Sequence, residues 1–139
     1  MERSLVLIKP DAMKRRLGGA ILARLEQRGM QVVGLKLLHM DAALARRHYA
    51  VHIGKPFFDS LVQYITSTPI IAAVLQGENA VETIRKTMGA TDPAKAEKGT
   101  IRADFGIDIQ NNCVHGSDSP ENAAKETAIF FRDSDLFSY

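Results

Sequence analysis

Ile70-Ile71-Ala72-Ala73-Val74-Leu75 is six apolar residues with no polar position among them. A run of that kind, too short for a helix of ordinary length, reads as a fully buried strand. Ser67-Thr68-Pro69 supplies the turn before it. After it, Asn79 stands where a helix cap belongs. Val81, Ile84 and Met88 then share one helical face, and Gly89 ends the helix. Before it, Gly54-Lys55-Pro56 opens a helix with Phe58, Leu61, Val62 and Ile65 at i, i+3, i+4 and i+7. Phe57 begins a neighbouring stripe with Leu61 and Tyr64.

Further toward the N-terminus, Gln31 to about His39 alternates Val33, Leu35 and Leu37 against Gly34 and Lys36, a strand pattern. Asp41 can cap a helix carrying Leu44, His48 and Tyr49. Gly18-Gly19 precede a helix with Ile21, Leu22 and Leu25 on one face, stopped by Gly29. Ser4 to Ile8 reads as a central strand whose end delivers Lys9, and Pro10 restricts Lys9 to extended conformations. Toward the C-terminus, the periodicity stops from Ala90 to Asn111, a stretch carrying Thr91 and Arg102. A structureless segment of this length in a compact domain is usually functional. Val114 to Gly116 is a last short strand. A final helix runs from about Glu121 to Phe131, with Ala124, Ala128 and Phe131 on one face and Glu126 on another, and Arg132 to Tyr139 is a tail. No domain boundary or repeat interrupts residues 1–139. The order reduces to β-α-β-β-α-β, which suits a ferredoxin-like α+β sheet or a small doubly wound one.

The formal charge of +2, from 18 basic and 16 acidic residues, argues against nucleic acid or membrane as a default partner. Any cationic site must come from a local cluster. Cys113 is the only cysteine, so no intrachain disulfide forms and a reducing compartment is expected. The four apolar residues before Lys9 are too few for a signal peptide, and no run approaches a membrane span. A soluble cytoplasmic protein is the expectation.

The chemistry concentrates in Asn112-Cys113-Val114-His115-Gly116-Ser117-Asp118-Ser119-Pro120. Ser119-Pro120 is a serine cap followed by proline at the first helical position. His115 therefore stands just upstream of a helix start, where free N–H groups favour negative charge. Gly116 removes a side chain beside the ring, so a bulky ligand could approach. His115 reads either as a nucleophile for a phosphoryl group or as a buried histidine near a turn. Histidine as a residue type suits the nucleophile role, because an unperturbed imidazole has a pKa of about 6.5 and is largely neutral at neutral pH. Such a nucleophile needs its other nitrogen held, and Glu126 could hold it; a surface glutamate is the alternative.

Lys9, Arg85 and Arg102 are the candidate phosphate cations, and Thr91 and Asn112 could add neutral hydrogen bonds. A solvated strand end for Lys9 and a snorkelling surface arginine for Arg85 are the alternatives. Phe57 is either a platform for a nucleobase or a partly buried core aromatic. No dense carboxylate cluster is present, which agrees with a Mg2+ ion carried by substrate phosphates and water and with no protein metal site. Gly18-Gly19 is not a Walker A loop, because no Gly-Lys-Ser/Thr follows. His48 and His52 are four apart, but Tyr49 stands where a zinc protease needs glutamate, so helix packing is the better account of them. Cys113 reads as an inert buried thiol or as an oxidation-sensitive neighbour of His115.

Asn112-x-x-His115-Gly116-Ser117-Asp118 resembles the active-site signature of the nucleoside diphosphate kinases. Lys9-Pro10-Asp11 and Gly99-Thr100-Ile101-Arg102-x-Asp104-Phe105 resemble the same family, in its order and spacing, over nearly the whole chain. The resemblance implies an antiparallel ferredoxin-like sheet with helices on one face and a long loop before the last strand. It implies His115 as the phosphorylated residue, with Lys9, Arg85, Thr91 and Arg102 on phosphates. Phe57 would stack on the base, Leu61 and Ile109 would line that pocket, and Lys9 and Asn112 would contact the sugar. Gly116 belongs to the nucleotide-binding set, and Tyr49, Ser117 and Glu126 would support the ring. The implied reaction is ping-pong transfer of a γ-phosphate from ATP or another nucleoside triphosphate to a nucleoside diphosphate, with Mg2+, in a homo-oligomer, either hexamer or tetramer. Arg16, where the family usually has a small residue, and Ala73, where a bulkier one is common, depart from the pattern. The stop at Tyr139, without the C-terminal arm of many eukaryotic members, suggests a bacterial-type chain. The rivals are a nucleic-acid-binding module, whose aromatic strand signature is absent, and an inactive nucleotide-binding scaffold.

Overall fold

A computed structural model describes residues Met1–Tyr139. Four strands, β1 (Glu2–Ile8), β2 (Gln31–Leu38), β3 (Ile70–Gly77) and β4 (Val114–Gly116), lie in the order β2-β3-β1-β4. Every neighbouring pair is antiparallel, which fits the ferredoxin-like sheet and excludes a doubly wound one. The apolar run Ile70–Leu75 sits in β3, between β1 and β2.

Helices α1 (Pro10–Lys14) and α2 (Gly18–Gln27) follow β1. Helices α3 (Ala42–His48) and α4 (Phe58–Ile65) connect β2 to β3. Helices α5 (Ala80–Met88) and α6 (Ile101–Phe105) lie between β3 and β4, and α7 (Pro120–Phe130) follows β4. The Asp41 side chain accepts the Leu44 N–H at the start of α3, as its position suggests. Asn79 occupies the cap position of α5 but makes no side-chain cap. The Glu2 carboxylate, reaching over from β1, accepts the Val81 N–H instead.

Both faces of the sheet are covered, which corrects the expectation of helices on one face. Val6, Ile8, Ala73 and Leu75 pack with Ile21 and Leu25 of α2 and Ile84 and Met88 of α5. Leu5, Leu7, Ala72 and Val74 pack with Ala45 of α3, Ile65 of α4 and Phe130 of α7. The reason lies in β1 and β3 themselves. Leu5–Ile8 and Ile70–Leu75 are apolar at successive positions, so both faces of each strand need cover.

Two other expectations change. Residues 90–111 are not structureless: Thr100 caps α6 by accepting the Ala103 N–H, and a short 3-10 turn forms at Pro93–Lys95. In α7 the buried residues are Ala123 and Phe130, whereas Ala124 and Ala128 face solvent. Glu126 shares the inward face with Ala123 and Phe130, at i+3 and i+7 from Ala123.

Candidate active site

His115 is aimed by strand alternation. In β4, Val114 lies opposite Ile8 and Gly116 opposite Val6, both on the face covered by α2 and α5. His115, opposite Leu7, points to the other face, toward α3 and α7. The segment that enters β4 is held by Asp11. One carboxylate oxygen accepts the Cys113 N–H at 3.1 Å and the other accepts the Tyr64 hydroxyl. Cys113 adopts φ 75°, a conformation uncommon outside glycine, and that single residue turns the chain into the strand. After β4, Ser119 caps α7 by accepting the Asn122 N–H, and α7 returns across the ring.

Glu126 Oε1 lies 2.5 Å from His115 Nε2. Nε2 donates to that carboxylate, so in the neutral ring the lone pair is on Nδ1. The His115 side chain is 31% exposed and that of Glu126 16% exposed, so the ring is reachable while its carboxylate is largely shielded.

His48, at the end of α3, stands edge-on to His115 with ring centroids 4.9 Å apart, and packs on Tyr49 and Phe130. Burial pushes its pKa down to about 3, aided by the nearby His115, His52 and Lys9, so His48 is neutral. Neither of its nitrogens has a hydrogen-bond partner. Sequence reasoning assigned His48 to helix packing. The i, i+4 pairing with His52 does not exist, because α3 ends at His48 and a 3-10 turn, Ala50–His52, follows. Asp11 and Tyr64 were missed as organisers; the position of Asp11 directly after Lys9-Pro10 was the available signal.

The three candidate cations converge although they come from distant segments. Lys9 leaves the end of β1 and donates to Asn112 Oδ1 at 2.7 Å. Asn112 is fixed in turn by donating to the carbonyls of Thr91 and Ile109. Arg102, on α6, donates to the carbonyls of Val114 at 2.7 Å, Gly89 at 3.1 Å and Asn112 at 3.4 Å. Arg85, on α5, reaches the Gly116 carbonyl at 3.3 Å and is otherwise exposed. None of the three forms an ion pair. Burial, then the Arg102 charge, lowers the Lys9 pKa to about 8, and burial followed by Arg85 lowers that of Arg102 to about 10. Buried positive charge without a carboxylate partner is costly, and an anion placed among these groups relieves that cost.

These groups share one cavity of about 690 Å3, which every sequence-predicted site residue except Ser117 lines. Ser117 is fully buried, its hydroxyl has no partner, and it makes no hydrogen bond to the ring. Gly116 lines the cavity and also has a packing reason to be glycine. A side chain there would place Cβ 2.6 Å from Met88 Sδ and 3.1 Å from Ile84 Cγ2, so the glycine permits close packing of α5. Cys113 is fully buried and its thiol is pushed up to about 11, first by burial and then by Asp11, which supports the inert reading over the redox one.

A family model described as nucleoside diphosphate kinase matches residues 2–136. The chain belongs to the nucleoside diphosphate kinase family. A nucleoside diphosphate kinase of Dehalococcoides mccartyi is 60% identical over 139 residues, covering 100% of this chain and 98% of that protein. One from Roseiflexus castenholzii is 57% identical, covering 98% and 91%. Among solved structures, a halophilic nucleoside diphosphate kinase from Halobacterium salinarum in complex with CDP has a TM-score of 0.96 at 46% identity, covering 99% of this chain and 92% of that one. The Aquifex aeolicus enzyme has a TM-score of 0.94 at 41% identity, covering 98% and 99%.

Nucleoside diphosphate kinases are phosphotransferases, and the rest of the cavity suits a nucleotide. Phe57 is 49% exposed at the start of α4 and Ile109 60% exposed on the facing loop, an apolar pair at the outer rim. The cavity's only carboxylates are Glu126, engaged with His115, and the exposed Asp118.

Proposed function

We propose that this nucleoside diphosphate kinase domain, residues 1–139, transfers the γ-phosphoryl group of a nucleoside triphosphate to a nucleoside diphosphate through a phosphohistidine on His115 Nδ1. The supporting observation is three cations without ion pairs sharing a cavity with an imidazole whose Nε2 is committed and whose Nδ1 is not. In the first step the Nδ1 lone pair attacks the γ-phosphorus and the bond from that phosphorus to the β,γ-bridging oxygen breaks. The nucleoside diphosphate leaves with the electron pair. Nε2 keeps its proton, and the Glu126 carboxylate stabilises the positive charge that develops on the ring. In the second step a terminal phosphate oxygen of another nucleoside diphosphate attacks, and the P–N bond breaks.

Phosphoryl transfer depends mainly on positioning and charge stabilisation. Lys9, Arg85 and Arg102 neutralise the phosphates, and Thr91 adds a neutral hydrogen bond. Asn112, with Lys9, meets the sugar. The base stacks on Phe57, with Leu61 and Ile109 beside it, so bases differing at their edges are accepted. Tyr49 packs the inner wall behind His48. Mg2+ prefers oxygen ligands, and a cavity whose carboxylates are one engaged and one exposed group suits an ion carried by the substrate phosphates, whose charge it would offset when bound. Homo-oligomerisation fits the edge strand β2, which exposes Leu35 and Leu37 (54% and 66%), and the single buried thiol fits a cytoplasmic setting. No helix is long and apolar enough to cross a membrane.

The test is incubation with γ-labelled ATP and Mg2+. The expected product is an acid-labile, base-stable phosphoprotein that surrenders its label to GDP or CDP. A His115→Ala variant that still takes the label refutes the assignment.

A further inference from the structure

Three metal-ligating side chains meet at the inner end of the cavity. One ligand atom each from His48, His115 and Glu126 lies within 4.8 Å of the others, and the three come from α3, β4 and α7. We propose that this triad is a binding site for a zinc ion, and that the bound ion takes the His115 ring out of use as a nucleophile. The ion site stands on the triad's geometry; only its inhibitory consequence rests on the phosphohistidine reading.

Two imidazoles and one carboxylate, with a fourth position open, are a ligand set that zinc takes. Zinc–ligand bonds of about 2.0–2.2 Å in a tetrahedron put ligand atoms roughly 3.3–3.5 Å apart. The triad brackets that spacing. His115 Nε2 and Glu126 Oε1 are 2.5 Å apart, and no pair exceeds 4.8 Å. Small side-chain rotations admit the ion between ring and carboxylate.

His48 is the residue that phosphoryl transfer leaves unexplained. Both of its nitrogens are buried without a hydrogen-bond partner, which is unfavourable for each polar atom so placed. An ion satisfies one of them. Because burial keeps His48 neutral, no proton has to be displaced from it. All three side chains line the cavity, so the ion has an entry path through the space a nucleotide would occupy. The Lys9 charge opposes a cation there, and the Glu126 charge offsets it.

The consequence for His115 follows from the valence of imidazole. Once the Nε2 lone pair is given to zinc, the neutral ring carries its proton on Nδ1. The proton moves between nitrogens through solvent, nothing is oxidised or reduced, and the lone pair that would attack phosphorus is gone. Mg2+ does not reproduce this, because it prefers six oxygen ligands to imidazole nitrogens.

The experiment titrates Zn2+ into the metal-free full chain by calorimetry, with Co2+ as an optical probe of four-coordinate ligation. One zinc per chain is expected. His48→Gln and Glu126→Gln should each weaken it at least about tenfold, as even indirect ligand support contributes that much. His52→Gln should leave it intact, and circular dichroism checks that each variant folds. In a parallel arm with γ-labelled ATP and excess Mg2+, zinc should suppress labelling of the wild type, and His48→Gln should need at least about tenfold more zinc for the same suppression. Zinc that binds no more tightly than Mg2+, or that binds folded His48→Gln and Glu126→Gln as it binds the wild type, overturns the proposal. Zinc binding by the triad with no labelling even in its absence upholds the ion site and removes the phosphohistidine reading.

Discussion

Lys9 sits at the end of a buried strand with a pKa lowered from 10.5 to about 8. Between those values the unfolded chain binds more protons than the folded one. Stability of the nucleotide-free protein should therefore rise as pH climbs from about 8 toward 10.5, since the charge that burial penalises is being discharged. Nucleotide binding should move the other way, weakening above pH 8 as Lys9 loses its proton. Urea titrations at pH 7.5 and 9.5, with nucleotide binding measured at both, check the two signs. Glu126→Gln keeps a hydrogen-bond acceptor but removes the charge. A charge-assisted bond contributes about 1.5–3 kcal/mol, so kcat should fall roughly 10- to 100-fold with a smaller change in KM. Arg16 adopts φ 60°, the left-handed region that favours glycine, so its backbone is strained. Arg16→Gly should stabilise by up to about 1 kcal/mol in urea unfolding, because relief of the left-handed strain exceeds the entropy that glycine adds to the unfolded chain. The residue types at the site were legible in the sequence. The orientation of Glu126 was not, because assigning Ala124 and Ala128 to the buried face of α7 turned the helix by about 100° per residue of error. His48 was illegible for a similar reason: only the end of α3 places its ring against His115.

Arg102 does two jobs. Its guanidinium belongs to α6, yet its bonds run to the carbonyl at the end of α5 and to the segment entering β4. It therefore ties the 90–111 connection to the sheet edge. Arg102→Ala should cost about 2–4 kcal/mol in urea unfolding as well as activity, since three carbonyls lose a charged donor. Arg102→Lys should recover little of the stability, because a single ammonium cannot replace the planar fork. The elements themselves were largely readable. Caps and stops at Asp41, Ser119, Gly29 and Gly89 fall where the sequence puts them. The two-sided cover of the sheet was also available, in the unbroken apolar runs of β1 and β3, but was set aside in favour of helices on one face. Helix α6 escaped notice because five residues between Thr100 and Gly106 are too few to show a period.

Across the molecule, antiparallel pairing of β1 with both β3 and β4 is what brings chain positions 9, 85, 102 and 115 to one cavity. No local pattern could show that convergence; before the structure it was only what the family resemblance implied. The exposed apolar side chains Leu35 and Leu37 lie on the open edge of β2. With the homo-oligomer proposed above built on this edge, Leu37→Lys should give smaller species than the wild type in sedimentation velocity, with the cavity at the opposite edge of the sheet unchanged. The central claim is narrower than the family assignment: Glu126 commits Nε2, so phosphorus must go to Nδ1. Phosphorus–nitrogen coupling in the NMR spectrum of the 15N-histidine-labelled phosphoenzyme tests it most directly. Coupling to His115 Nδ1 is the predicted result. Coupling to Nε2, or to any other histidine, contradicts the account.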